Sequence, residues 1–424
     1  MRLKNVTFLN DNMKYETRDF SIKNSTISFN LDDGDKEGSM ECKDYLVIPG
    51  LVNAHFHSYS PLAKGLMQEM ALQDWCNDSE QGKIQRLLLD YLDNEISEKD
   101  FAYVAQKSYV DMVKSGVTFV SDSDPQSPQL LSDVMNEIGI RGIIDTYEEI
   151  GEYYNKSEGN ILFGSHLLEE EDMTNDELLN LKETKDKYNT IMMTHCLENE
   201  WRLNIVKSKF GKSSIDLYNE MDLLDDKTVL FHGVYMSGED IELVAKHKSS
   251  VVHCPLSNLD TGAGVADVNS MLEKDVNVCL GTDYAHTNVW ELMRLTYYLL
   301  KINNPVNKYS AEDVFKMATV NGANAYKLQD DIGQIKEGYK ADFVFIEKDA
   351  DLEPLLNKAN FSTYLYNLLF YSKSDSVQHV MIDGKWVMKD RKLITVDEEK
   401  VVSKYNQIAE GFLHYLKDQA GLLN

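Results

Sequence analysis

Eight short apolar runs punctuate the chain. They are YLVIPGLVNAH (45–55), GVTFVSD (116–122), IRGIIDTY (140–147), NILFGSH (160–166), TIMMTH (190–195), TVLFH (228–232), SVVHCP (250–255) and VNVCLGTD (276–283). Their apolar residues run on rather than alternate with polar ones, the pattern of strands covered on both faces. Between most of them lie stretches with helical spacing, such as EDIELVAKH (239–247). Strands alternating with helices predict an α/β chain with a parallel sheet, and eight of them in one unit predict a (β/α)8 TIM barrel over 50–332. The first connection, roughly 56–115, is too long for one simple unit and must hold extra helices or a loop over the site.

The two ends read differently. MRLKNVTFLN and DFSIKNSTISFN near the start look like short strands. So do GQIKEGYKADFVFIE and SVQHVMIDGKWVMKDRKL after the barrel, the latter with a hairpin-like Asp383-Gly384. Residues 1–49 and 333–424 are expected to build one small β domain together, followed by a terminal helix in DEEKVVSKYNQIAEGFLHYLKDQ.

Charge excludes some functions. The formal net charge of -27 repels nucleic acid and anionic membranes, so neither is an expected partner. The five cysteines form no CxxC pair, which argues against a disulfide framework or a thiolate zinc knuckle. With no signal-like start and no run near the ~20 apolar residues of a membrane span, the expected location is cytoplasmic.

The chemistry lies where the runs end. His55, His57, His195, His232, His253 and Asp283 all close a predicted strand, and in a barrel those ends gather at one rim. His55 and His57 are two apart, so a pleated strand turns both to one face. Imidazole pairs suit a zinc-like ion, although HxH alone is a weak signal. His195 and Asp283 strengthen it, and His55, His57, His195 and Asp283 become the expected metal ligands. Three imidazoles and a carboxylate leave room for a water, whose pKa a bound cation lowers towards ~7. Asp283 would touch the metal and accept that water's proton; a helix N-cap is its ordinary alternative. Glu198, three residues after His195, would shuttle a proton, or be a surface glutamate. His232 would orient the nucleophile or stabilise developing charge, or be a buried histidine bonded to backbone. His166 and His286 are candidates to line a substrate pocket, as is His253, whose other reading is a structural histidine or one that supports a ligand from behind. Trp75, in the loop SYSPLAKGLMQEMALQDWCND (58–78), is a candidate to cover a flat ring, with Leu66 and Leu72.

In this order, PGLVNAHFH, MMTHCLE, LFHGV, VVHCPLSN and GTD resemble the amidohydrolase superfamily. More narrowly, they resemble its branch of N-heterocycle deaminases and triazine chlorohydrolases, which includes S-adenosylhomocysteine and methylthioadenosine deaminases. The resemblance covers nearly the whole chain. It implies a distorted barrel with a small β-sandwich made from both ends, and a homodimer. It implies one Zn2+ (Fe2+ or Mn2+ as alternatives) on His55, His57, His195 and Asp283, with catalysis by Glu198, His232 and Asp283. Two-metal members carry a lysine at the end of strand four; here that strand ends FGSH, so one ion is expected. The sequence departs from the branch at GTDYAHTN, where Tyr284 and His286 would reshape the pocket. Between strands two and four only one arginine appears, Arg141, which puts adenosylhomocysteine in doubt as substrate.

The expected function is therefore metal-dependent hydrolytic deamination of a small aminated heterocycle such as a purine or pterin. Water would add to the amino-bearing carbon, Glu198 would protonate the ring nitrogen, Asp283 would collect the water's proton and ammonia would leave. A chlorohydrolase or other C–X hydrolase acting on a similar ring shares the same addition step. A catalytically silent binding barrel is the reading from a different class.

Overall fold

The computed structural model describes residues 1–31, 38–124, 127–147, 150–154, 159–167, 169–358 and 360–420. Eight strands form one sheet in chain order: β1 (Leu51–Phe56), β2 (Val117–Asp122), β3 (Arg141–Asp145), β4 (Ile161–His166), β5 (Met192–Cys196), β6 (Thr228–His232), β7 (Ser250–His253) and β8 (Asn277–Leu280). Every neighbouring pair is parallel. Helices separate most of them, as the alternating pattern requires. The result is the expected TIM barrel.

The interior is filled by Val52 and Ala54, Phe119, Ile143, Met193, Val229 and Phe231, Val252 and Cys279, with Leu162 packed beside them. All eight strands thus contribute. Tyr326 closes this core from below, its hydroxyl donating to the Ala54 carbonyl and its ring tilted on Phe119 at 5.2 Å.

β1 and β8 do not share a regular ladder. They meet just beyond the end of β8. Thr282 N–H donates to Asn53 Oδ1 (2.9 Å), Asn53 Nδ2 donates to Thr282 Oγ1 (2.8 Å), and Asp283 N–H donates to the His55 carbonyl (2.9 Å). This seam is the distortion in the barrel. Gly281 sits here because an added Cβ would lie 2.8 Å from that of His55.

The run 45–55 proves to be two strands. Tyr45–Pro49 belongs to the sheet of the chain ends, and β1 starts at Leu51. The break is Gly50, whose missing Cβ would fall 1.9 Å from the Thr118 hydroxyl. Apolarity continues across both strands because both are buried, so the pattern hides the change of sheet.

The end sheet joins both termini. Tyr45–Pro49 pairs parallel with Arg2–Leu9 on one side and antiparallel with Phe343–Glu347 on the other. Val377–Ile382 and Lys385–Lys389 follow as a hairpin, with Asp383 (φ 50°) and Gly384 (φ 71°) in the left-handed turn that Asp-Gly favours. Arg141, the first residue of β3, bonds Asp342 (2.6 Å) and Asp383 (3.1 Å) and so ties the lower rim of the barrel to this sheet.

The long first connection contains helices Glu80–Asp90 and Glu98–Ser115. The terminal helix, Glu398–Ala420, packs on Glu98–Ser115 and buries Val401, Ile408, Phe412 and Leu416 in the main core, Phe412 against Tyr91 at 5.4 Å. No helix among the described residues is long and apolar enough to cross a membrane.

Candidate active site

The seam brings a carboxylate to the HxH pair. Asp283 Oδ1 lies 3.3 Å from His55 Nε2 and 3.3 Å from His57 Nε2. Its other oxygen is 3.8 Å from His232 Nε2. Asp283 has φ 59° and starts no helix; the N-cap of the following helix, Val289–Leu299, is Asn288. The N-cap alternative for Asp283 therefore falls away.

His195, two residues beyond the interior Met193 on β5, enters from the facing wall. Ring centroids separate His55 from His195 by 4.9 Å and from His232 by 5.7 Å, and His57 from His195 by 5.5 Å. One ring nitrogen each of His55, His195 and His232 lies within 4.8 Å of the others. Phe231 is the floor, stacked 3.8 Å from His55.

The electrostatics are those of a cation site. His55 Nε2 and His232 Nε2 are buried and make no hydrogen bond among the described residues. Burial drives the His55 imidazolium well below its usual range, more than Asp283 can offset. His57 retains 14% of its side-chain exposure. Burial lowers its pKa too, but the Asp283 carboxylate wins and lifts it to about 9. Burial pushes Asp283 up, yet the surrounding imidazoles hold it well below the carboxylate range. An anion amid buried, unbonded ring nitrogens fits a divalent ion, whose charge would replace the proton on His57.

Residues around these four fix their orientation. His232 Nδ1 lies 2.8 Å from Asn258 Oδ1, so a proton on Nδ1 leaves Nε2 facing Asp283. Glu169 Oε1 lies 3.0 Å from His195 Nδ1. Burial raises the pKa of Glu169, but His195 and Arg202 outweigh it and keep Glu169 ionised. Glu198 is buried just beyond β5, and its carboxylate accepts from Arg202 Nη1 at 2.7 Å. The surface alternative for Glu198 is therefore overturned. Sequence reasoning missed Asn258, Glu169 and Arg202. The signals available were the SN after VVHCPL, the acidic run Glu169–Asp172 directly after β4, and an arginine in the first turn of a helix.

The substrate-side candidates divide. His166, at the end of β4, pairs with Asp145, stacks on Tyr147 (4.7 Å, 14°) and stands 5.4 Å from the His195 ring. Trp75 packs on Tyr284 at 4.8 Å, and Tyr284 lies 6.5 Å from His57, so both form an aromatic wall with Tyr59. Leu66, like Trp75, packs against the main core. Leu72 lines a cavity of about 380 Å³ at the rim, shared with Asn199, Trp201, Tyr235 and Thr261.

His253 and His286 are not brought to the cluster. His253 closes β7 but lines a separate cavity with Val265–Asn269 and Thr296. Burial and His232 push its pKa to about 3, leaving it neutral. His286 bonds Asp260 at 2.8 Å on a partly open surface.

Known proteins resemble this chain along most of its length. A 5-methylthioadenosine/S-adenosylhomocysteine deaminase of Pyrococcus horikoshii is 30% identical over 390 residues, covering 85% of this chain and 87% of the relative. A 5'-deoxyadenosine deaminase of Methanosphaera stadtmanae is 27% identical, covering 94% and 96%. The crystal structure of a zinc-bound adenosine deaminase from Xanthomonas campestris superposes with a TM-score of 0.87 at 20% identity, covering 97% and 98%. Residues 46–387 match the amidohydrolase family, and the chain belongs to it as a hydrolase of carbon–nitrogen bonds.

Proposed function

We propose that this hydrolase deaminates the purine ring of an adenosine with a small neutral 5' substituent, using one zinc ion held by His55, His57, His195 and Asp283. The observation that carries the reading is Asp283 Oδ1 at 3.3 Å from both HxH rings, with His195 across from them. The names of the Pyrococcus and Methanosphaera relatives support the ring and the modified 5' position. Arg141 argues against an amino-acid tail on the substrate: it is spent at the lower rim on Asp342 and Asp383. The free cysteines fit a reducing cytosol.

An ion bound there supplies a water acidic enough to lose a proton near neutral pH. The chain's own residues do the rest. The Trp75–Tyr284 wall holds the ring flat above His57. Asp283 and the Nε2 of His232 aim the water at the amino-bearing carbon. Glu198 takes one proton from the water and delivers it to the adjacent ring nitrogen as the carbon becomes tetrahedral. Asp283 takes the second proton and passes it to the amine, which leaves as ammonia while the ring becomes a lactam.

The test is ammonia release by the zinc-loaded protein from 5'-methylthioadenosine, 5'-deoxyadenosine, pterins and a chlorotriazine. Release from the adenosines is expected. Chloride release from the triazine without ammonia from any substrate would overturn the proposed leaving group. Unchanged turnover by Glu198→Gln with zinc still bound would overturn the role of Glu198.

A further inference from the structure

Arg202 stands in the first turn of the helix Glu200–Phe210, where the positive end of the helix dipole disfavours a cation. Its side chain is only 6% exposed. A buried guanidinium is tolerated only with partners, and here three carboxylates surround it. Nη1 meets Glu198 Oε2 at 2.7 Å, Nη2 meets Glu169 Oε2 at 2.6 Å, and Nε meets Glu171 Oε2 at 2.7 Å. Glu169 then reaches His195 Nδ1 with its other oxygen at 3.0 Å. Each guanidinium nitrogen thus faces a carboxylate.

We infer that Arg202 is a positioning residue that locks the His195 ring and the Glu198 carboxylate into one rigid unit. One edge of the planar fork fixes Glu198 directly. Another fixes Glu169, which holds His195 by Nδ1 and leaves Nε2 free to ligate. Glu171 balances charge on the outer edge. The metal ligand and the proton carrier are thereby held at a set separation by a single side chain. A lysine ammonium, a point donor on a flexible stem, cannot span all three carboxylates. The inference rests on the roles proposed above for His195 and Glu198.

The experiment compares Arg202→Lys with wild type by zinc competition against a chelator and by kcat and KM for ammonia release. Zinc affinity and kcat are each expected to fall about 10–100-fold, as for other residues that orient ligands, with KM nearly unchanged. Glu171→Gln, which leaves the inner contacts intact, is expected to stay near wild type in both. In a Glu198→Gln background, Arg202→Lys is expected to cost less further kcat than in wild type, since one of the two groups it orients is gone. Wild-type zinc affinity and kcat in Arg202→Lys would overturn the inference, as would an equal kcat loss in the Glu198→Gln background. If Arg202→Lys does not fold, Glu169→Gln carries the same zinc expectation, and unchanged affinity there overturns it. Absence of ammonia release by wild type defeats the proposed reaction, while the zinc arm still decides the link from Arg202 to His195.

Discussion

Replacing Asn258 with alanine would isolate the hydrogen bond that sets the tautomer of His232. Both residues are almost wholly buried, and Asn258 Oδ1 lies 2.8 Å from His232 Nδ1. An amide oxygen only accepts, so the ring keeps its proton on Nδ1 and a lone pair on Nε2, 3.8 Å from Asp283. Alanine leaves two outcomes. The Nδ1 proton stays and is orphaned, at a cost of about 1–3 kcal/mol in stability. Otherwise the proton moves to Nε2, where it faces Asp283 and removes the acceptor that aims the water. With either outcome kcat is expected to fall about 10–100-fold, the range for residues that orient a site through another side chain. That corresponds to about 1.4–2.7 kcal/mol in the barrier. The assay is saturated ammonia release, paired with urea unfolding of the same preparation. Asn258→Asp keeps an acceptor in place and is expected to recover most of the loss. A kcat within twofold of wild type, together with stability within about 0.5 kcal/mol, would refute the reasoning.

Other perturbations probe the rest of the site. Asn53→Ala breaks two buried hydrogen bonds across the seam, and urea unfolding should show a loss of about 2–4 kcal/mol; a negligible loss would mean that the barrel closes elsewhere. Trp75→Ala removes an aromatic contact worth about 0.5–1.5 kcal/mol, so KM should rise about 2–12-fold with kcat held, and a selective fall in kcat would contradict a binding role. Burial lifts the Glu170 carboxyl to about 7 although Leu197 N–H and the Ser214 hydroxyl donate to it. The folded state therefore keeps a proton that the unfolded chain has lost above about 4.5, and stability falls as pH rises from there through 7. Glu170→Gln should flatten that slope in denaturation curves taken across pH 4–8; an unchanged slope would place its origin in another group. Chelation should abolish turnover and lower the melting temperature, with zinc restoring both, because an ion bound only to the folded state stabilises it by mass action.

The barrel was readable because its strands are covered on both faces and therefore run apolar without interruption. That property also concealed the break at Gly50, where one buried strand follows another in a different sheet. Strand ends located His55, His195, His232 and Asp283 at a common rim, but the rule overreached at His253. A place at a strand end does not by itself bring a ring to the cluster: His253 closes β7 yet lines a separate cavity. His286 lies past the strand end, in a loop whose path no periodicity describes. Glu169 and Arg202 escaped notice because charged residues in an acidic run read as solvated surface. Arg202 is buried among carboxylates such as Glu169, 33 positions away, a pairing that only the fold reveals.

The seam has a consequence for how the site comes into being. Asn53 and Thr282 stand 229 residues apart in the chain, and Asp283 reaches His55 only when they meet. On a ribosome adding about 5–20 residues per second, roughly 10–50 s separate the emergence of the histidine pair from that of its carboxylate. During that interval the nascent protein exposes two imidazoles and an unpaired strand edge, with nothing to complete either. Ring closure and assembly of the reactive centre are the same late event, so a half-made polypeptide holds neither a finished barrel nor a competent site.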